Sequence, residues 1–570
     1  MSNRSMPELL TTCGLVCAGM LMVTPPAVRA QGSQLPQGYN SQDWTTVNAD
    51  AERDSWVRTD PYISLGSMQN PTGFGVVRKV KLEENPTSGH FDSQAIFETE
   101  AGGYKSMGYV IDSAGNAVGF DSDTDQIFWR NPLASGTAMG GNCPKQVNAG
   151  MTRALTEMVP TVLPYGGIEL GFRIRDRQPV AGGVVGEPHQ GATNISEFSA
   201  PFGGANGPGF RAPGGGVFAL GPDGFLHQLS LLKGFDVLMA PAKFLPPNAS
   251  TAGLTAFDKY VYVATSNSCG DVPNGVWGFS LADSSVVSWN AKGASIAGTV
   301  GAAFGTDGSL YVATGEGPEG SAADSVVSME QKTLRVRSYF SPGKTPFVAT
   351  PVVLTYPNWN PARGKDMVVA ANKDGKLYLM DSVSLGGADR KTALTSSTKY
   401  TNYSTDYVPG ALASWQDAGG NRWVLAPIGS AVASDTHFPI NNGSVTDGAI
   451  VAFKVIEQGG KLKLEPGWVS RNMVSPLPPA IVNGVVFALS SGEYHTSDAS
   501  MTTVQRAQRS VPAVLYALDA MTGKELWNSG TALPSYAHSV GLSLSFSTIY
   551  VTTADDTLWS FGSLQDQDKE

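Results

Sequence analysis

The spacing Asp-x2-Thr-x4-Trp occurs at both ends of this 570-residue chain, as Asp121, Thr124, Trp129 and as Asp519, Thr522, Trp527. In Val514–Gly530, VLYALDAMTGKELWNSG, apolar residues alternate into Ala517-Leu518-Asp519. A Thr522-Gly523 turn follows, then a second strand ending at Trp527, which is the signature of a hairpin. Asp519 can accept backbone N–H bonds across such a turn. Gly523 supplies the backbone freedom the turn needs. Trp527 is too large to stay exposed and reads as docked on a neighbouring sheet. A motif repeated at this separation asks for a repeat architecture.

Further turn-bounded strands fill the interval. They fall in Val217–Leu229, Tyr260–Trp289, Ala303–Phe340, Pro351–Asp381, Ala411–Trp468, Pro478–Trp527 and Val540–Phe561. With a first unit at about 100–133, this gives eight units of about 40–60 residues, each with short strands. That periodicity predicts an all-β fold, an eight-bladed β-propeller. In the units Ser280–Trp289 and Ala452–Trp468 the Trp is displaced from the motif spacing. The last unit lacks an outer strand after Phe561, whereas Val76–Glu83, VVRKVKLE, alternates like a half-buried strand and has no unit of its own. Pairing the two closes the ring with an N-terminal strand. The resulting division is 1–30, a signal segment; 31–69, an N-terminal extension; 70–562, the propeller; and 563–570, a tail. The extension is polar and aperiodic and is expected on the outside of the fold. A Gly- and Pro-rich insertion, 134–216, interrupts the propeller.

Composition agrees. Charged residues make up 15%, against roughly 25% in ordinary domains, and 66 glycines exceed the usual share of about 7%. The formal net charge of −10 disfavours nucleic acid and anionic membrane as partners. Leu9–Val23 is an apolar run, and Val28-Arg29-Ala30 offers small residues for cleavage before Gln31, so export to the periplasm or beyond is expected. Val16 before Cys17 and Thr12 before Cys13 do not suit a lipoprotein box. No later run is long enough to span a membrane. The mature chain keeps Cys143 and Cys269, and two cysteines in an exported protein favour one disulfide. No CxxCH, CxxC or HExxH is present.

The AxDxxTGxxxW pattern of Ala517–Trp527, with its counterpart at Asp121–Trp129, resembles the tryptophan-docking motif of quinoprotein alcohol dehydrogenases. The resemblance implies an eight-bladed propeller with pyrroloquinoline quinone (PQQ) and a Ca²⁺ or lanthanide ion on its axis. Tyr311–Gly317, YVATGEG, is similar to the family's metal-binding Y-x-G-T-G-N stretch, with Glu316 at the ligand position. A carboxylate there is a good hard-cation ligand. Asn372–Asp381, NKDGKLYLMD, is similar to the family's K-x-G-x-x-x-x-L-D stretch and places Lys373 where the family's basic residue contacts the quinone. The metal ligand expected in the third unit is replaced by Ser-Asn-Ser-Cys-Gly-Asp, leaving Asp271 as the nearby acid.

Other departures weigh against dehydrogenase chemistry. Gly343–Pro351, GKTPFVATP, holds no acid where the family has its catalytic base. The family's adjacent-cysteine disulfide and a cytochrome c module are both missing, so a reduced quinone would need a separate electron acceptor. The sequence therefore favours an exported binding or interaction module for a protein or small-molecule partner. Its binding face would carry the 134–216 insertion and the Gly429-Ser430 loop. The alternatives are a PQQ- and metal-dependent dehydrogenase of alcohols or sugars, and a cell-envelope assembly scaffold.

Overall fold

The computed structural model describes residues 44–82, 91–133 and 217–564 apart from short stretches, together with the backbone of the strands Met151–Arg153, Pro160–Val162 and Ile168–Leu170. The signal segment, Cys143 and most of the 134–216 insertion lie outside the described residues. Eight antiparallel meanders form an eight-bladed β-propeller. Their innermost strands are Ile96–Thr99 in blade 1, Met151–Arg153 in blade 2, Ser250–Phe257 in blade 3 and Ala303–Phe304 in blade 4. Val352–Leu354, Ala413–Gln416, Ala480–Val482 and Ser543–Ser545 serve blades 5 to 8. The apolar faces of adjacent blades pack together. Between blades 5 and 6, Leu377 and Leu379 meet Val424, Ala426 and Val451, all fully buried.

Phe74–Lys81 pairs antiparallel with Thr557–Ser563 and is the outer strand of blade 8, so the first and last parts of the propeller share one sheet. Lys79 and Lys81 point to solvent, and Leu82 just beyond is buried. The ring is thus closed by a strand seven blades distant in sequence, as the leftover alternating stretch predicts.

The Asp/Thr/Trp repeat works through register. Trp129 lies opposite Gly119, Trp527 opposite Ala517, Trp289 opposite Val276 and Trp468 opposite Ala452. Trp129, Trp527 and Trp468 therefore share one cross-strand place, level with the first residue of the inner strand (Ile96, Ala480 and Ala413), although their spacing along the chain varies; Trp289 stands level with Ala252, the third residue of its inner strand. Trp468 is displaced in sequence only because Ala449–Gln458 and Lys461–Val469 form an extended hairpin. Its Nε1 donates to the Ala520 carbonyl of blade 7 at 2.9 Å. Trp129 likewise donates to the Leu231 carbonyl of blade 2 at 2.9 Å. Gly523, at φ +68, receives the Trp468 ring: a Cβ there would lie 2.3 Å from the indole. Trp527 packs edge-on against Phe74 and Phe561 of blade 8, with ring centroids 5.0 and 6.0 Å away. Asp519 Oδ1 accepts the N–H groups of Met521 and Thr522, and Thr124 Oγ1 donates to Asp121 Oδ2 at 2.8 Å.

Two features differ from the sequence expectation. Met151–Arg153, inside the stretch read as an insertion, pairs with Val217–Leu220 and belongs to blade 2. Three residues are too few to show a strand period. The second difference is larger. The extension was expected outside the ring, but residues 44–58 run along its axis, and nearly all of them are buried. Polar residues can be interior when most of their groups find partners; here the partners are the inner strands of the blades and the segment itself, and Asp50 Oδ2 and Glu52 Oε1 are left without a hydrogen bond among the described residues.

Replacing Trp468 by Ala should cost about 3–5 kcal/mol by removing a buried aromatic side chain. Trp468→Phe should cost less, losing chiefly the Nε1 bond at about 1 kcal/mol. Urea unfolding followed by circular dichroism checks both; an Ala variant with the wild-type midpoint would contradict the docking role.

Candidate functional site

The axis holds two structures, an open cavity and a buried polar core. The cavity has a volume of about 540 Å³ and is built from the starts of inner strands and the ends of second strands in blades 3 to 5, with the chain entering blade 6. Asn267, Thr299, Glu316, Phe347, Lys373 and Tyr407 are among its lining residues. Glu316 follows the blade 4 strand Leu310–Ala313, and Lys373 follows the blade 5 strand Met367–Asn372. Lys373 Nζ lies 3.1 Å from Glu316 Oε1. The Glu316 side chain is 74% exposed and that of Lys373 29%, so this pair stands at the cavity mouth. Exposed pairs of this kind contribute little to stability. Deeper, Thr299 Oγ1 is buried with no hydrogen-bond partner among the described residues. Tyr407 is buried, donates to the Pro476 carbonyl at 2.6 Å and packs on Gly429, which ties the predicted Gly429-Ser430 loop to this face.

Asp271 does not join this group. It sits exposed on the short 3-10 turn Cys269–Asp271 and is not among the lining residues. The acid that does feel Glu316 is Asp324: burial, then the Glu316 charge, hold its carboxyl above the usual carboxylate range. Nothing in its sequence context marks it. Gly343–Pro351 brings Phe347 and Val348 to the cavity and, as its composition requires, no acid.

Beneath the cavity the blades touch across the axis. Ala349–Thr350 pairs parallel with Gly410–Ala411, and the Thr299 N–H donates to the Gly410 carbonyl at 3.2 Å. Gly298, at φ +79, allows this approach, since a Cβ there would lie 2.1 Å from Thr350 N.

On the far side of this closure lies residues 44–58. Trp44 and Phe97 of blade 1 exchange two backbone bonds, at 3.1 and 2.7 Å. Successive carbonyls then serve successive blades. Ala51 accepts from Phe304 of blade 4 at 2.7 Å, and Glu52 from Val353 of blade 5 at 3.0 Å. Asp54 accepts from Ser414 of blade 6 at 2.9 Å, and Ser55 from Ile481 of blade 7 at 2.8 Å. Trp56–Val57 finally pairs parallel with Ile481–Val482. The Arg53 guanidinium donates to the carbonyls of Ala302 (2.9 Å), Val47 (2.7 Å) and Gly253 (3.1 Å), and to Thr255 Oγ1.

Carboxylate oxygens of Asp50, Glu52 and Asp54 gather within 4.8 Å of one another. Arg58 Nη2 lies 3.1 Å from Glu52 Oε2 and 2.8 Å from Asp54 Oδ2. Arg53 and Arg422 are buried nearby. Burial, followed by the Asp54 charge, raises the Asp50 carboxyl to about 7. Burial and Asp50 also hold Glu52 well above the usual range, while burial lowers Arg53 to about 9. A hard cation such as Ca²⁺ takes six to eight oxygen ligands. Here three carboxylates face three arginines, and two of them already bind Arg58, so the cluster carries its own counter-charge and does not suit a metal.

No family model matches the chain, and no curated protein matches it. Solved structures do. The chain is similar to a europium-containing methanol dehydrogenase at 9% identity and TM-score 0.51, covering 93% of this chain and 99% of that one. It is also similar to the quinohemoprotein alcohol dehydrogenase ADHIIG from Pseudomonas putida HK5, at 10% identity and TM-score 0.52, covering 92% and 80%. BamB from Moraxella catarrhalis matches more loosely, at 11% identity and TM-score 0.44, covering 86% and 99%. At these identities the likeness establishes the propeller fold of the quinoprotein alcohol dehydrogenase type.

Asp50 stays protonated in the folded chain up to about pH 7, against 3.8 for the free side chain. The folded state then holds more protons than the unfolded one between those values. Stability should fall as pH rises from about 4 to about 7, by up to about 1.4 kcal/mol per pH unit, and level off above. Asp50→Asn should flatten this slope; chemical denaturation at several pH values checks it, and an unchanged profile in the variant would exclude Asp50 as its source.

Proposed function

We propose that this chain is an exported propeller that binds a ligand in its axial cavity rather than oxidising one. The observation that carries the reading is the charge of that cavity. Among the described residues its one lining cation, Lys373, is paired with Glu316, and the Gly343–Pro351 stretch supplies no acid. PQQ is a tricarboxylate ortho-quinone, and such a donor set is a poor match for three carboxylates. Export by the 1–30 segment and a Cys143–Cys269 disulfide belong to the same reading. In that reading the protein works in the periplasm or outside the cell, where such bridges persist.

The second reading is a PQQ- and metal-dependent dehydrogenase of alcohols or sugars. It is favoured by the meeting of Glu316 and Lys373 in one cavity, at the positions the resemblance implies for metal and quinone. When bound, PQQ would supply a two-electron acceptor at that cavity. Lys373 would hold the quinone and Glu316 the Ca²⁺ or lanthanide ion.

Purified mature protein mixed with PQQ plus Ca²⁺ or La³⁺ should show no shift of the quinone absorbance and no dye reduction with alcohols or sugars. A shift with dye reduction would establish the dehydrogenase reading instead. Lys373→Met should leave the unfolding midpoint within about 0.5 kcal/mol of wild type, which separates a role in binding from one in folding. Thiol titration of the unreduced, denatured mature protein should find no free thiol; two would remove the disulfide.

A further inference from the structure

We propose that the closed side of the propeller axis is a peptide-binding site, and that residues 44–58 are its ligand in cis, an exchangeable segment rather than part of the ring. Four observations carry this. First, the ring closes without the segment, because Phe74–Lys81 completes blade 8. Second, the segment joins the blades as a bound peptide joins a groove. It offers one carbonyl each to Phe304, Val353, Ser414 and Ile481, and only Trp56–Val57 enters a ladder. Inner-strand edges with free N–H groups are what extended peptides bind.

Third, the ring imposes the segment's shape. Asn48, Ala49, Arg53 and Ser55 hold positive φ values of 59, 71, 63 and 55. Residues with side chains adopt such angles when surrounding contacts over-determine them. Fourth, the charges are complementary. Arg58 of the segment holds Glu52 and Asp54 at 3.1 and 2.8 Å, and the buried Arg422 of blade 6 faces Glu52 from the ring. The ligand class is therefore an extended peptide with carboxyl side chains and an internal arginine that reaches across the axis, as Arg53 does to Ala302 and Gly253.

The segment is also tethered for such a role. Asp60 accepts from the Ser547 N–H at 2.8 Å, and an exposed turn at Gln69-Asn70 separates the helix Leu65–Gln69 from the closing strand. Withdrawal would open the axis while leaving the blade 8 closure in place.

The test uses the full mature chain with a protease site inserted in the exposed turn after Gln69. The uncut protein, with a wild-type melting temperature, is the folding control. After cleavage, the N-terminal fragment should remain on the propeller in native gel filtration. A fluorescent synthetic peptide spanning 44–70 should then exchange for it saturably. The same peptide carrying Arg53→Ala should compete on the order of tenfold less well, having lost several buried charge-assisted bonds. Two results would overturn the proposal. One is release of the fragment only together with unfolding of the blades. The other is exchange to which Arg53→Ala makes no difference.

Discussion

The inner edges of the blades are the constraint on which the rest of this structure depends. A β-strand with no neighbour on one side presents N–H and C=O groups that require partners. In a ring of blades those edges all face the axis. Residues 44–58 meet that requirement in four blades with consecutive or near-consecutive carbonyls, Ala51, Glu52, Asp54 and Ser55. One segment can serve one blade per residue only if it turns as sharply as the ring does. That accounts for its left-handed residues, whose local cost is offset by bonds to several blades at once.

The tryptophans tie the blades at the other end of their radius. Trp129 and Trp468 each reach a backbone carbonyl of the following blade, and Trp527 inserts between two phenylalanines of blade 8. What is kept from blade to blade is the cross-strand position of the ring, not its distance along the chain. The hairpin Ala449–Gln458 with Lys461–Val469 grows outward by adding cross-strand pairs beyond Trp468, so its length changes while the docking contact does not. A motif defined by spacing alone misses this Trp; one defined by register includes it.

This contrast marks what the sequence makes legible. Blade number, ring closure by an N-terminal strand and the Asp/Thr turns follow from periodic apolar residues and turn residues, which are local signals. Glu316 and Lys373 could be singled out because the stretches that carry them, YVATGEG and NKDGKLYLMD, resemble binding segments of the quinoprotein alcohol dehydrogenases. Asp271 follows a recognisable strand, but a 3-10 turn carries it to solvent, and backbone geometry of that kind is not visible in residue type. The axial segment escaped because its apolar residues, Trp44, Val47, Trp56 and Val57 among them, follow no strand or helix period and are separated by polar and charged ones. Its one retrospective signal is the run Asp50-Ala51-Glu52-Arg53-Asp54 with Arg58 four residues on, in which acids and arginines alternate without any lysine. Arg forks suit buried multiple bonding, whereas Lys is the commoner surface partner.

The two halves of the axis divide the chemistry. The closure made by Gly298, Thr350 and Gly410 leaves the cavity open on one face, with Glu316 and Lys373 at its mouth. Charge at that mouth is hydrated, so it can select a ligand at small cost to the fold. Behind the closure, Asp50, Glu52 and Asp54 are removed from water and held by arginines. A change of charge there acts on stability directly, because low-dielectric surroundings strengthen each pairing and penalise each unpaired group. Carboxylates near the axis of one propeller thus have opposite roles. Glu316 at the mouth is exposed beside Lys373, and those in the core are enclosed by the protein's own chain.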